Sequence, residues 1–149
     1  MNISEAVEEK VREAYRGVVA RDSERIRAAL HGLNERESRE ALGLGLLVCG
    51  YVAKDVYPNG PTTTDLQQIA REIISGESEW VNLGSQDSVS NFLGVAVAGD
   101  TDFTGIQKDD LVGLIFVCGG HLLATYRREG QHWWEYLDEI WAAVEGTRG

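Results

Sequence analysis

Leu111-Val112-Gly113-Leu114-Ile115-Phe116-Val117-Cys118-Gly119-Gly120-His121-Leu122-Leu123-Ala124-Thr125-Tyr126-Arg127 is the stretch on which the fold of this chain turns. Apolar runs on either side of Gly119-Gly120 have the arrangement of two strands joined by a tight turn, because paired glycines supply the positive φ that hairpin turns need. The same residues can instead form one apolar rod over 108–128. Asp109-Asp110 at its start and Arg127-Arg128 at its end have the charge polarity that a helix dipole favours. That polarity selects the helix, and an α+β fold with a 111–127 hairpin stands as the alternative.

Working outward, residues 41–56 repeat this character: they are apolar on nearly every face, with charge returning only at Lys54 and Asp55. A helix of that kind is buried all round. Ala41, Gly45, Cys49 and Ala53 fall four apart, a row of small side chains along which another helix can approach closely. Each glycine costs about 1 kcal/mol of helix propensity, so packing is the reason to expect them there. Leu47-Val48-Cys49-Gly50 matches Phe116-Val117-Cys118-Gly119, and Leu42 matches Leu111 at the same offset. A duplicated three-helix unit closed by a C-terminal helix would explain the match, as would chance likeness between two apolar helices.

Around these two central segments the periodicity predicts amphipathic helices. Ile3, Val7, Val11, Ala14 and Val18 form one stripe, with Ser4 as its cap, and Asp22-Ser23 opens a short helix carrying Ile26, Ala29, Leu30 and Leu33. Asn34 and Glu37 form a capping-box pattern at the start of the first central helix. Pro58-Asn59-Gly60-Pro61 forces a turn. Thr64 with Gln67 has the capping spacing for a helix through Leu66, Ile69, Ala70, Ile73 and Ile74, ended by Gly76. Ser85 or Asp87 caps a helix reaching Ala98, although Phe92 to Ala98 also reads as a buried strand. Thr104 with Gln107 precedes the second central helix. At the C-terminus Trp134, Leu137, Trp141 and Val144 are expected to dock a last helix, with Trp133 and Ile140 at the edges and Glu135, Asp138 and Glu139 facing water. The expected fold is all-α: a compact single-domain bundle of about six to seven helices over 1–149.

The 149 residues are enough to bury roughly two-thirds of the unfolded surface, and 43% apolar with 26% charged residues is ordinary globular usage. No basic segment with an apolar core opens the chain, which points to a soluble, cytoplasmic protein with free, buried cysteines. Residues 1–60 carry ten acids against nine bases and 61–149 fourteen against five, so nearly all of the net charge of −10 lies in the later part. Phosphate backbones and anionic membranes repel such a surface, which excludes nucleic-acid and lipid-surface binding and admits a basic protein partner.

Chemistry-bearing motifs are missing. Gly43-Leu44-Gly45 lacks the third glycine of a dinucleotide fingerprint, and no phosphate loop, nucleophile elbow, zinc signature or calcium loop occurs. No cofactor or metal is expected. His121 follows Cys118 by one helical turn, so the two are a pocket candidate, read either as a thiol–imidazole pair or as a buried histidine bonded to a backbone carbonyl. His132, Glu135, Asp138 and Glu139 supply too few imidazoles for a di-iron site. The adjacent Trp133 and Trp134 point about 100° apart on a helix, so one of them is expected at the surface. Trp133, Trp134, Glu135, Asp138 and Glu139 are therefore the candidate partner-binding edge.

These features favour a non-enzymatic acidic helical protein that binds another protein, an immunity- or antitoxin-like neutraliser or a regulator. The alternative from another class is a small helical ligand-binding protein or enzyme, with a pocket between the two central helices edged by His121. A homodimer through the small-residue row or the tryptophan edge is a third possibility.

Overall fold

The computed structural model describes residues 5–99 and 108–146, and all regular structure in them is α-helical. Seven helices follow in order: α1 (Glu5–Val19), α2 (Ser23–Leu30), α3 (Glu35–Val56), α4 (Thr63–Glu77), α5 (Gln86–Ala98), α6 (Lys108–Tyr126) and α7 (Trp133–Gly146). The 111–127 hairpin is therefore overturned, as is a strand over Phe92 to Ala98. Ser4, Ile3 and the Thr104–Gln107 pair lie outside the described residues.

Gly119-Gly120 makes no turn because another helix needs the space. A methyl group on Gly119 would sit 2.9 Å from the Tyr15 hydroxyl, and one on Gly120 would sit 2.5 Å from Cγ1 of Val18. Both contacts bring α1 onto the backbone of α6. The paired glycines are thus a close-approach surface, and α6 runs through them to Tyr126. Arg127 then donates to the carbonyl of Ala124, satisfying a carbonyl of the last turn.

α3 and α6 form the buried centre. A methyl on Gly45 would stand 2.2 Å from Cγ2 of Ile115, and the Cys49 thiol donates to the Ile115 carbonyl at 3.6 Å. α5 crosses α3 on another side, where the Ala96 carbonyl oxygen lies 2.6 Å from the position a Cβ on Gly50 would take. The small-residue row Ala41, Gly45, Cys49 and Ala53 is buried within the chain and is not free for contact with a second copy.

Side-chain caps start α2, α3, α4 and α5. Asp22 accepts from the Arg25 amide, Asn34 and Glu37 form a reciprocal capping box, and Ser85 accepts from Ser88. At α4 the box is Thr62 with Asp65. The run of three threonines offers two registers, and the one with an aspartate at the third helical position wins over Thr64 with Gln67. α4 also runs past Gly76 to Glu77.

The helix order of the two halves is alike, but their packing differs. α5 lies on α3, whereas α2 packs chiefly on α1, through Ala29 and the Gly17–Ile26 contact. α2 has one buried residue, Ala29. Residues in positive φ bracket it: Arg21 at 57° before, Gly32 at 84° after. At Arg21 the Asp22 amide donates to the Gly17 carbonyl and the Arg21 amide to that of Val18, a Schellman stop in which glycine is the usual occupant.

Candidate functional site

Because α2 is held by α1 and stands off α6, it leaves a cleft of about 620 Å³. Ile26 and Leu30 of α2 form one wall, Leu42 of α3 another, and Val112 and Phe116 of α6 the floor, with Trp80 from the turn after α4 closing one side. The polar groups at its edge are Ser23, Arg27, His31 and Ser38, and among the described residues no acid lines it. Gly113 of α6 also faces it, with nothing within 4 Å of where its Cβ would be. The Trp80 indole N–H is buried and has no acceptor among the described residues. Leaving such a donor unbonded costs about 1–3 kcal/mol.

The cleft is lined by α2, α3, α6 and the turn after α4. It is not edged by His121. That residue lies at a smaller recess of about 240 Å³, with Arg21, Glu77 and Thr125. The imidazole rests against Gly76, with Nδ1 3.6 Å from Oε2 of the buried Glu77. Its neighbour is a carboxylate on α4 and not the expected backbone carbonyl. Gly76 is small because the ring lies on it.

Cys118 is fully buried, and burial first, with nearby Cys49 and Glu77 adding to it, pushes its thiol well above the ordinary range. Burial likewise raises Cys49, to about 12. Both cysteines are free thiols. Neither supplies a thiolate nucleophile near neutral pH. Among the described residues no group of three or more His, Cys, Asp or Glu side chains could hold a metal ion.

The tryptophan edge is rotated by one residue from its expected placement. Trp133, Tyr136, Leu137, Ile140 and Trp141 are buried, and Trp134 is exposed at 41%. Tyr136 sets this register, since its hydroxyl reaches inward to donate to Asp55 at 2.7 Å. Trp134 stacks on His132 with ring centroids 4.2 Å apart. The acids around it are engaged within the chain. Glu135 accepts from the His132 amide at 2.9 Å, Asp138 pairs with Arg12 at 2.6 Å, and Glu139 with Arg128 at 3.2 Å. Of the five edge residues, only Trp134 presents an unshielded apolar surface.

Sequence reasoning missed the cleft residues on α2, because Ile26 and Leu30 read as ordinary core positions. The signal available was the shortness of α2, whose single apolar face cannot cover both α1 and α6.

No protein family, characterised protein or solved structure matches this chain. No helix among the described residues is long and apolar enough to cross a membrane.

Proposed function

We propose that this chain is a binding protein that takes an apolar small molecule into the cleft beneath α2. The observation that carries the reading is an open volume of about 620 Å³ with mainly apolar walls and a few polar groups at one edge. Small-molecule sites have this size and composition. Burying such a surface returns roughly 25 cal/mol for each Å² of apolar area taken from water, from which the cost of immobilising the ligand is subtracted.

Calorimetric titration with decan-1-ol and decanoate tests this. Saturable binding of one molecule per chain is expected, and it should vanish in Gly113→Trp, whose side chain would occupy the open space. Far-UV circular dichroism would confirm that the variant keeps its helices. Undetectable heat from both ligands, or full binding by Gly113→Trp, would refute the reading.

The exposure of Trp134 favours a second reading, a contact with a basic protein partner at the α7 edge, as a neutraliser or regulator would make. The internal ion pairs of Asp138 and Glu139 reduce the charge available there. A photocrosslinking residue in place of Trp134 should then yield one protein adduct that the same residue in place of exposed Ala142 does not. Identical adducts at both positions would remove this reading.

A further inference from the structure

We infer that the ligand of this cleft is an amphipathic anion: an apolar chain ending in a carboxylate or comparable oxyanion, with its head held by Arg27 and His31. The inference rests on the cleft reading above and adds the chemistry of the head.

Charge at the cleft runs against the rest of the chain. The protein has 24 acidic residues and a net charge of −10, yet among the described residues no acid lines the cleft, and the two ionisable side chains that do are Arg27 and His31. The remaining polar groups are also able to donate. Ser23 and Ser38 carry hydroxyls, and the Trp80 N–H, closed off from solvent in this conformation, has no acceptor among the described residues. Guanidinium and indole groups have no accepting atom. A ligand head rich in acceptors would satisfy this edge, and an ammonium head would not.

Arg27 is free to respond. Its ionic partner is Glu24, one turn earlier on α2, at 2.6 Å and with both side chains more than 70% exposed. Exposed pairs of this kind contribute little, so the guanidinium can turn to an incoming oxyanion without loss of a tertiary contact. Arg27 is the stronger determinant because a guanidinium remains charged and matches an oxyanion in two parallel hydrogen bonds. Ser23, Arg27 and His31 all belong to α2 or its end.

Calorimetry at neutral pH with two ligands of equal chain length isolates the head. Decanoate is expected to bind about two- to fivefold tighter than decan-1-ol, the scale of a solvent-exposed guanidinium–carboxylate pair. The double variant Arg27→Gln/His31→Gln should bring decanoate down to the affinity of decan-1-ol while leaving the alcohol unchanged. Glu24→Gln should change decanoate affinity by less than about threefold, since the exposed Arg27–Glu24 pair contributes little. Equal binding of the two ligands by the native protein, or a preference that survives in the double variant, would overturn the inference and leave the cleft reading standing. Failure of both ligands to bind would remove the cleft reading itself, and this inference with it.

Discussion

Alanine in place of Gly50 and of Gly113 should shift stability in opposite directions, although both glycines lie inside helices. In a helix interior the change alone gains about 1 kcal/mol, because glycine loses more backbone freedom on folding. At Gly113 nothing lies within 4 Å of the new methyl group, so that gain should appear nearly whole. At Gly50 the methyl would stand 2.6 Å from the Ala96 carbonyl oxygen and 3.2 Å from its carbon. These are backbone atoms of α5 and cannot rotate aside. Reaching ordinary contact requires α5 to withdraw by roughly 0.8 Å, and overpacking of this kind costs about 1–3 kcal/mol, more where a backbone must move. The expected outcome is a net loss of about 1–2 kcal/mol for Gly50→Ala. For a chain of this size that lowers Tm by about 2–8 °C, while Gly113→Ala raises it by about 2–4 °C. Urea denaturation followed at 222 nm gives both values, with unchanged m-values as the check on two-state behaviour. If Gly50→Ala stabilises as much as Gly113→Ala, α5 does not rest on the backbone of α3 and the packing described here is wrong.

Trp133→Ala should cost about 3–5 kcal/mol and Trp134→Ala about 1 kcal/mol, since the first is buried and the second is partly exposed; urea titration of the pair would expose any error in the register of α7. Tyr15→Phe should leave stability unchanged or raise it by up to about 1 kcal/mol, because the buried Tyr15 hydroxyl has no partner among the described residues; a loss of 2 kcal/mol would mean it is bonded. Both thiols should resist a disulfide exchange reagent in the native protein and react fully in denaturant, and rapid native labelling of either would contradict their burial. Alkali should destabilise the fold. Cys49 and Cys118 have folded pKa values raised above the unfolded value of about 8.5, so their contribution is complete below that pH and is lost as pH rises toward about 12, where Cys49 titrates in the fold. Each adds up to about 1.4 kcal/mol per pH unit, and buried Tyr15 and Tyr136 steepen the fall above about 10. Replacing both cysteines with alanine should flatten the curve between about pH 8.5 and 10, and an unaltered curve would assign the loss elsewhere.

The sequence made the helices legible where period and caps agree. Val7, Val11, Ala14 and Val18 could belong only to one helical stripe, and Asn34 with Glu37 marked the start of α3. Glycine was the harder residue to read, because it serves turns and close helix contacts alike. Gly119-Gly120 looked like a hairpin turn until the positions of Tyr15 and Val18 were known, and Gly76 looked like a helix stop until His121 was seen lying on it. The phase of α7 was lost for a related reason. Tyr136 is polar at one end, and it took the contact with Asp55 at the far end of α3 to place it inward, which turned Trp133 in and Trp134 out. The cleft was only half legible. A pocket between the two central helices and edged by His121 was expected; the cleft is walled by α2 as well, and of the helix glycines Gly113 faces it. Its location depends on α2 packing on α1 and standing away from α6, a long-range arrangement that no local pattern encodes.

The most direct test of a cleft that binds apolar molecules is where a bound chain sits. Nuclear Overhauser effects between decanoate methylene protons and the methyl groups of isotope-labelled protein would locate it. Contacts to Ile26, Leu30, Leu42 and Val112 are expected, together with the Phe116 ring. Contacts confined to Val18 and Thr125 at the His121 recess, or to the Trp134 edge, would contradict the account.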